Sequence, residues 1–446
     1  MKFFLTRTYL LIFIILSTIQ NIVCQSENPE YKFDFGNGMV KDGFTQVTGD
    51  MRYDSLRGFG FISDTVVSDV IRDIDDSLLQ DFCTSSRPFY FLVDLPEGNY
   101  QIVLTIGDKD AETFTTVKAE SRRLMIQSVK TEAGEYVTKS ITVNVRTPRI
   151  DSINAIRLKS REYTYLNWDN KLILEFNNSR PCINGLEISP AKDALQVFLA
   201  GNSTVVDQEY EPWCSWGQMI PNFFSNELVV VNLAESGEAL KSFKWENRLK
   251  KLLSMLDSGD YVFIEFGHND QKPQSSAYVE AFTGYKEELK DYIQQVKTLG
   301  GNPVLVSPTQ RRSFDSLGFI LNTHGDYPLA MKETAQEESV PFIDLNAMSK
   351  VLFETLGEED SKKAFVHYPP NTFPGQEKAL ADNSHFNNYG AYQLAKCILQ
   401  GIIDQNLELK NYIIRFEGYD PAKPDDYSNF YIPESPFINL IKPDGY

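Results

Sequence analysis

Ser203 ends an apolar run in "VFLAGNSTV", and far downstream "DNSHFNNYG" sets Asp382 three residues before His385. A serine hydroxyl is a weak nucleophile at neutral pH, so acyl transfer needs a histidine to take its proton and a carboxylate to fix the imidazole tautomer. The tetrahedral intermediate also needs donors aimed at its oxyanion. Two more stretches can supply them: "NLAESGEA", containing Gly237, and "GHND", containing Asn269. The backbone amides of Ser203 and Gly237 with the side-chain amide of Asn269 make three donors. Each residue alone has an ordinary reading, because Gly-Asn-Ser-Thr favours turns and helix caps and "NST" is also a glycosylation sequon. Their order and their placement at strand ends carry the assignment.

Those placements come from two segments with different rhythms. From Tyr31 to about Pro190 short alternating or β-branched runs such as "FYFLVDLPEGNYQIVLTIGD" and "KSITVNVRTP" are separated by Gly, Pro, Asn and Asp turns. That pattern predicts an all-β sandwich or jelly roll over residues 25–190. After Pro190 the apolar runs "LQVFLA", "LVVVNLA", "YVFIEFG", "NPVLVSP" and "VPFIDL" alternate with helical stretches such as "AYVEAFTGYKEELKDYIQQVKTL". Five near-continuous strands with helical crossovers predict an α/β domain over residues 193–415, a doubly wound parallel five-stranded sheet of flavodoxin-like type. Ligands of such sheets bind beyond the carboxyl ends of the strands, which is where Ser203, Gly237 and Asn269 fall. Residues 416–446, rich in proline and aromatics, read as an extended tail.

Residues 1–24 read as a secretory signal, with Lys2 and Arg7 ahead of "YLLIFIILSTI", and a lipid anchor at Cys24 is the less favoured alternative. No other run approaches the ~20 residues of a membrane span. The net charge of -18 argues against nonspecific binding to nucleic acid. Cys83, Cys182, Cys214 and Cys397 show no spacing suited to zinc, and Cys83 with Cys182 reads either as a disulfide or as two buried thiols. Oligomeric state is left open.

The set Gly201-x-Ser203, Gly237, Gly267-x-Asn269-Asp270 and Asp382-x-x-His385 resembles the four blocks of the SGNH (GDSL-type) hydrolases. "FLAGNSTV", "EPWCSWGQM", "EFGHNDQKP", "SPTQRRSF", "NTHGDYPLAM" and "DNSHFNNYGAYQLA" are similar to the rhamnogalacturonan acetylesterases in particular. The resemblance implies deacetylation of pectin backbone sugars with Ser203 as nucleophile, His385 as base then acid and Asp382 as its orienter. It implies oxyanion donors at Ser203, Gly237 and Asn269, and neither metal nor cofactor. The N-terminal segment resembles galactose-binding-like sandwich modules. One position departs from the pattern: the first block reads Gly-Asp-Ser in the family and Gly-Asn202-Ser here, which implies altered or reduced activity.

Arg311 and Arg312 can pair with a galacturonate carboxylate, or belong to ordinary surface ion pairs. His324, Tyr327 and Tyr368 lie in long loops, where they can bind substrate or brace the loops. His268 and His367 read as structural, and Trp213 and Trp216 as core residues ahead of a sugar-stacking role. The expected partner is an acetylated pectic polysaccharide. The alternatives are an acetyl-xylan or broad acetylesterase, and a carbohydrate-binding protein on an esterase frame.

Overall fold

The computed structural model describes residues 30–62 and 65–436. Residues 1–24 and Cys24 lie outside the described residues, as does the tail beyond residue 436. Among the described residues no helix is long and apolar enough to cross a membrane.

Strict alternation builds the first unit. In Gly98–Gly107 the side chains of Tyr100, Ile102, Leu104 and Ile106 are buried while their neighbours are partly exposed, the period-two pattern of a sheet with one face in the core. This strand lies in a five-stranded sheet with Tyr136–Val145, Gly185–Pro190, Tyr31–Phe35 and Thr45–Val47. A second five-stranded sheet, ordered Phe59–Phe61, Phe89–Asp94, Lys171–Arg180, Thr113–Ala119 and Arg123–Thr131, contributes to the same core. Phe33, Phe35, Phe61, Phe89 and Phe91 meet in that core through edge and tilted ring contacts, a geometry favoured by the ring quadrupole. Cys83 and Cys182 are buried free thiols. Their strands pair, but Cys83 Sγ faces Asp69 and Cys182 Sγ faces the Gly107 carbonyl.

The second unit is a parallel sheet ordered Leu228–Asn232, Leu195–Gly201, Tyr261–Glu265, Asn302–Val306 and Phe342–Ile343. Both faces are covered, which is why its strands read as continuous apolar runs. Val197 and Leu199 point to the face carrying the helices Leu345–Asp360 and Asn388–Asp404. Phe198 and Ala200 point to the face carrying Leu240–Trp245, Arg248–Met255, Lys286–Thr298 and Tyr327–Glu338. The helix expected over residues 277–299 begins as an α-helix only at Lys286, after one wider π-type turn at Ala281–Tyr285. The stretch ahead of it is engaged otherwise: the Val279 N–H donates to the Asp270 carbonyl. The strand order is that of a sheet whose direction of growth reverses beside Leu195–Gly201, and ligand crevices open at such reversals.

Candidate active site

Ser203 sits in the turn that leaves the central strand. Gly201 is required there by space: a Cβ would stand 2.6 Å from the Val205 side chain. Val205 and Val206 donate their N–H groups to the Asn202 carbonyl, closing the turn. Asp382 and His385 lie on the strand Leu380–Phe386, which is followed at once by the helix Asn388–Asp404. Asn387 caps that helix by accepting from the Gly390 N–H, so the backbone just after His385 is fixed.

The three side chains form one continuous line. His385 Nε2 is 2.8 Å from Ser203 Oγ, and His385 Nδ1 is 2.7 Å from Asp382 Oδ2. The other oxygen of Asp382 accepts the N–H groups of Ser384 and His385 at 2.8 and 3.0 Å. Burial alone would raise this carboxyl, but His385 and those two N–H groups outweigh it and hold Asp382 at about 2. The carboxylate is therefore ionised at neutral pH, with Nδ1 as donor and Nε2 free to accept the serine proton.

Asn269 and Gly237 are brought together by one hydrogen bond. Asn269 Nδ2 donates to the Glu238 carbonyl at 2.9 Å, beside Gly237, whose φ of +87° suits glycine. A carboxamide carries two N–H bonds, so one remains for a developing oxyanion. Lys272 Nζ holds the oxygen of the same carboxamide at 2.6 Å, which fixes its orientation and strengthens the amide as a donor. Asp270 shapes the loop from behind, accepting from Gly267 and Leu240 N–H groups at 2.8 Å each, and burial pushes its carboxyl up to about 6.

A GDSL-like lipase/acylhydrolase family model matches residues 199–390, and a "Beta-agarase/YXIM esterase-like, galactose-binding domain-like" model matches residues 31–145. The rhamnogalacturonan acetylesterase RhgT of Bacillus subtilis is 41% identical over 229 residues, 51% of this chain and 97% of that protein. The probable rhamnogalacturonan acetylesterase YesY of the same organism is 34% identical, over 50% of this chain and 99% of that protein. The crystal structure of Bacillus subtilis YxiM aligns with 85% of this chain and 99% of its own at 25% identity and a TM-score of 0.44. The chain belongs to the GDSL-like lipase/acylhydrolase family.

Within this acylhydrolase the remaining sequence candidates separate. Arg311 is half-buried and donates to Thr323 O and Oγ1 and to the His268 carbonyl, at 3.1 to 3.3 Å. All three acceptors are neutral, and among the described residues no carboxylate pairs with it; burial alone lowers its pKa. Arg312 is turned inward, donating to Ser361 Oγ, Asn383 Oδ1 and the Glu358 carbonyl at 9% exposure. It ties the residue after Asp382 to the end of the helix Leu345–Asp360 and does not face a ligand. His324 is buried against His268, with their ring nitrogens 3.0 Å apart, and its burial with the nearby Arg311 charge lowers it to about 3. Tyr327 donates to the Val279 carbonyl at 2.6 Å from a buried position. Tyr368 stays half-buried, its hydroxyl accepting from Asn387 at 3.2 Å. His367 bonds Asn383, and Trp216 is core.

Three supports escaped sequence reasoning. Glu265 ends the third strand of the parallel sheet fully buried, accepting from Thr204 Oγ1 at 2.7 Å and from Trp216 Nε1, and burial pushes it up to about 7. Its signal was there: one carboxylate inside the apolar run "YVFIEFG". Lys159 and Arg161, from the connection between the sandwich strands Tyr136–Val145 and Lys171–Arg180, both donate to the Ser236 carbonyl and pair with Glu238 and Glu235. No local pattern links them to Gly237. Among the described residues no group of three or more His, Cys, Asp or Glu is placed to hold a metal.

Proposed function

We propose that the protein is an exported carbohydrate O-acetylesterase that removes acetyl groups from rhamnogalacturonan. The observation that carries the reaction is the unbroken line Ser203 Oγ, His385 Nε2 and Nδ1, Asp382 Oδ2, with both links under 3 Å. In this reading Ser203 attacks the acetyl carbonyl as His385 takes its proton, and Asp382 stabilises the imidazolium. The oxyanion is met by the Ser203 and Gly237 N–H groups and the free N–H of Asn269. The protonated His385 then passes its proton to the departing sugar hydroxyl, leaving an acetyl-enzyme. Water, activated by the same histidine, releases acetate and restores the serine.

Arg311 supports the acidic substrate. A half-buried guanidinium without a carboxylate partner among the described residues, bonded to the backbone of the residue before Asn269, is ready to meet one from a galacturonate ring. The names of the two Bacillus subtilis relatives agree with that class. The test is acetate release from acetylated rhamnogalacturonan and acetylated xylan by the wild type, Ser203→Ala and Arg311→Gln. Release from the pectic polymer, abolished in Ser203→Ala and weakened through KM in Arg311→Gln, is expected. Release from xylan alone would overturn the substrate, and activity surviving in Ser203→Ala would overturn the nucleophile.

A further inference from the structure

The described part of the tail is pinned at two places and carries aromatic rings between them. At one end Asp425 accepts from Lys396 at 2.7 Å and from Gln393, while its carbonyl accepts from Tyr389. At the other, the Pro433 carbonyl accepts from buried Lys118, and the Ser435 N–H donates to Glu211. Phe430 packs inward on Tyr389 and Tyr392, with ring centroids 5.3 and 5.2 Å away. Tyr427 and Tyr431 stay 44% and 59% exposed. A strap held at both ends presents these rings with little ordering left to do on binding.

The strap closes one side of a groove of about 170 Å³ whose other side is Glu211, Tyr368 and Asn388. Asn387 and Asn388, also in its lining, follow His385 by two and three residues, so the groove is built in part on the segment that leaves His385. It is smaller than the ~300 Å³ at which pockets for drug-sized ligands begin, which suits one ring of a longer chain. Its chemistry is that of sugar recognition: aromatic faces for C–H surfaces, and amide, phenol and carboxylate groups for hydroxyls. The Tyr368 hydroxyl accepts from Asn387 and so keeps its own proton to donate.

We propose that this groove is a saccharide subsite, holding a sugar ring of the polymer whose acetylated residue lies at Ser203. The proposal rests on the polysaccharide reading above. The experiment compares wild type, Tyr431→Ala, Tyr427→Ala with Tyr431→Ala, and Tyr431→Phe, all as the full chain, on acetylated rhamnogalacturonan and on 4-nitrophenyl acetate. The double variant is expected to lose about tenfold in kcat/KM on the polymer, mainly through KM. Activity on the small ester stays unchanged, and Tyr431→Phe keeps the polymer activity because it keeps the ring. Unchanged polymer kinetics, or equal losses on both substrates, would overturn the subsite. If the wild type cleaves acetylated xylan instead, the pectic reading falls and the same comparison on xylan decides the groove. If it cleaves the small ester and neither polymer, both fall.

Discussion

Asn202 puts an NH2 group where the family has a carboxylate oxygen, and the consequences stay inside the nucleophile turn. Its Oδ1 accepts from the Thr204 N–H at 3.2 Å and lies 3.0 Å from Thr204 Oγ1, while the Thr204 hydroxyl donates a hydrogen bond to Glu265. The acceptor role is therefore kept. What changes is Nδ2, which is buried with no hydrogen-bond partner among the described residues, a defect costing about 1–3 kcal/mol. Asn202→Asp exchanges that unpaired donor for a carboxylate oxygen and sets a second carboxyl one hydroxyl away from Glu265. Glu265 is raised from 4.5 to about 7, so its neutral form is favoured in the folded protein. The stability tied to it is complete below its ordinary value and is lost as pH rises through about 7. Thermal melts should show the wild-type Tm lower at pH 8 than at pH 5, and Asn202→Asp steeper still. Its kcat should change by less than about tenfold, since no contact of Ser203, His385 or Asp382 runs through residue 202. A Tm indifferent to pH, or a rise in kcat of several hundredfold, would contradict this account. That Ser203, His385 and Asp382 could meet was legible in the sequence because Asp382 and His385 are near neighbours and Ser203 follows a recognisable strand. Glu265 and Lys272 act through the groups they hold, and such roles have no spacing of their own.

The strands and helices were legible for a related reason: a period of two or of 3.6 is a local property, and each apolar run from "LQVFLA" to "VPFIDL" is a strand of one sheet. The turn Glu120–Ser121–Arg122 was not. By composition it is a solvated hairpin tip, yet all three residues are buried, and Glu120 and Arg122 have φ of +55° and +62°. Such conformations cost about 1–3 kcal/mol each in non-glycine residues and persist where the surroundings enforce them. Here the surroundings are the nucleophile loop. Arg122 donates to the carbonyls of Gln208 and Trp213 at 3.1 and 3.0 Å and pairs with Glu211. Gln208 in turn donates to the Ser203 carbonyl at 2.8 Å. The sandwich thus reaches Ser203 through two side chains. Arg122→Ala should lower stability by about 3–5 kcal/mol by stranding Glu211. Arg122→Lys keeps the charge but not the forked donors, so denaturant melts should recover in part while kcat/KM stays depressed. Full recovery of both by lysine would show that charge alone matters at this position.

Across the whole molecule the same dependence is general. Asp207 and Glu211, at 1% and 3% exposure in the α/β unit, are neutralised from the sandwich by Arg123 at 2.8 Å, by Arg146 and by Arg122. Arg146 also donates to the Asn232 carbonyl at 2.6 Å, and Leu124 of the sandwich belongs to the α/β core. None of this was legible, because a charge pair between units has neither period nor spacing. The two Bacillus subtilis acetylesterase relatives align over almost their full lengths with only about half of this chain. In this chain the α/β unit carries buried carboxylates that those arginines must satisfy. Ionised carboxylates stripped of their partners in an interior are strongly destabilising. Residues 191–446 expressed alone should therefore fail to give a cooperative melt and show no esterase activity. Asp207→Asn with Glu211→Gln should raise the stability of that fragment by removing two of its stranded charges, Glu235 and Glu238 being the others, while the same pair in the full chain takes the carboxylates from Arg122 and Arg123 and destabilises it. A fragment that melts cooperatively and turns over like the full chain would show that the sandwich is an accessory. Opposite signs for the same two substitutions in fragment and full chain would place the stability of the catalytic unit in the charges between the two.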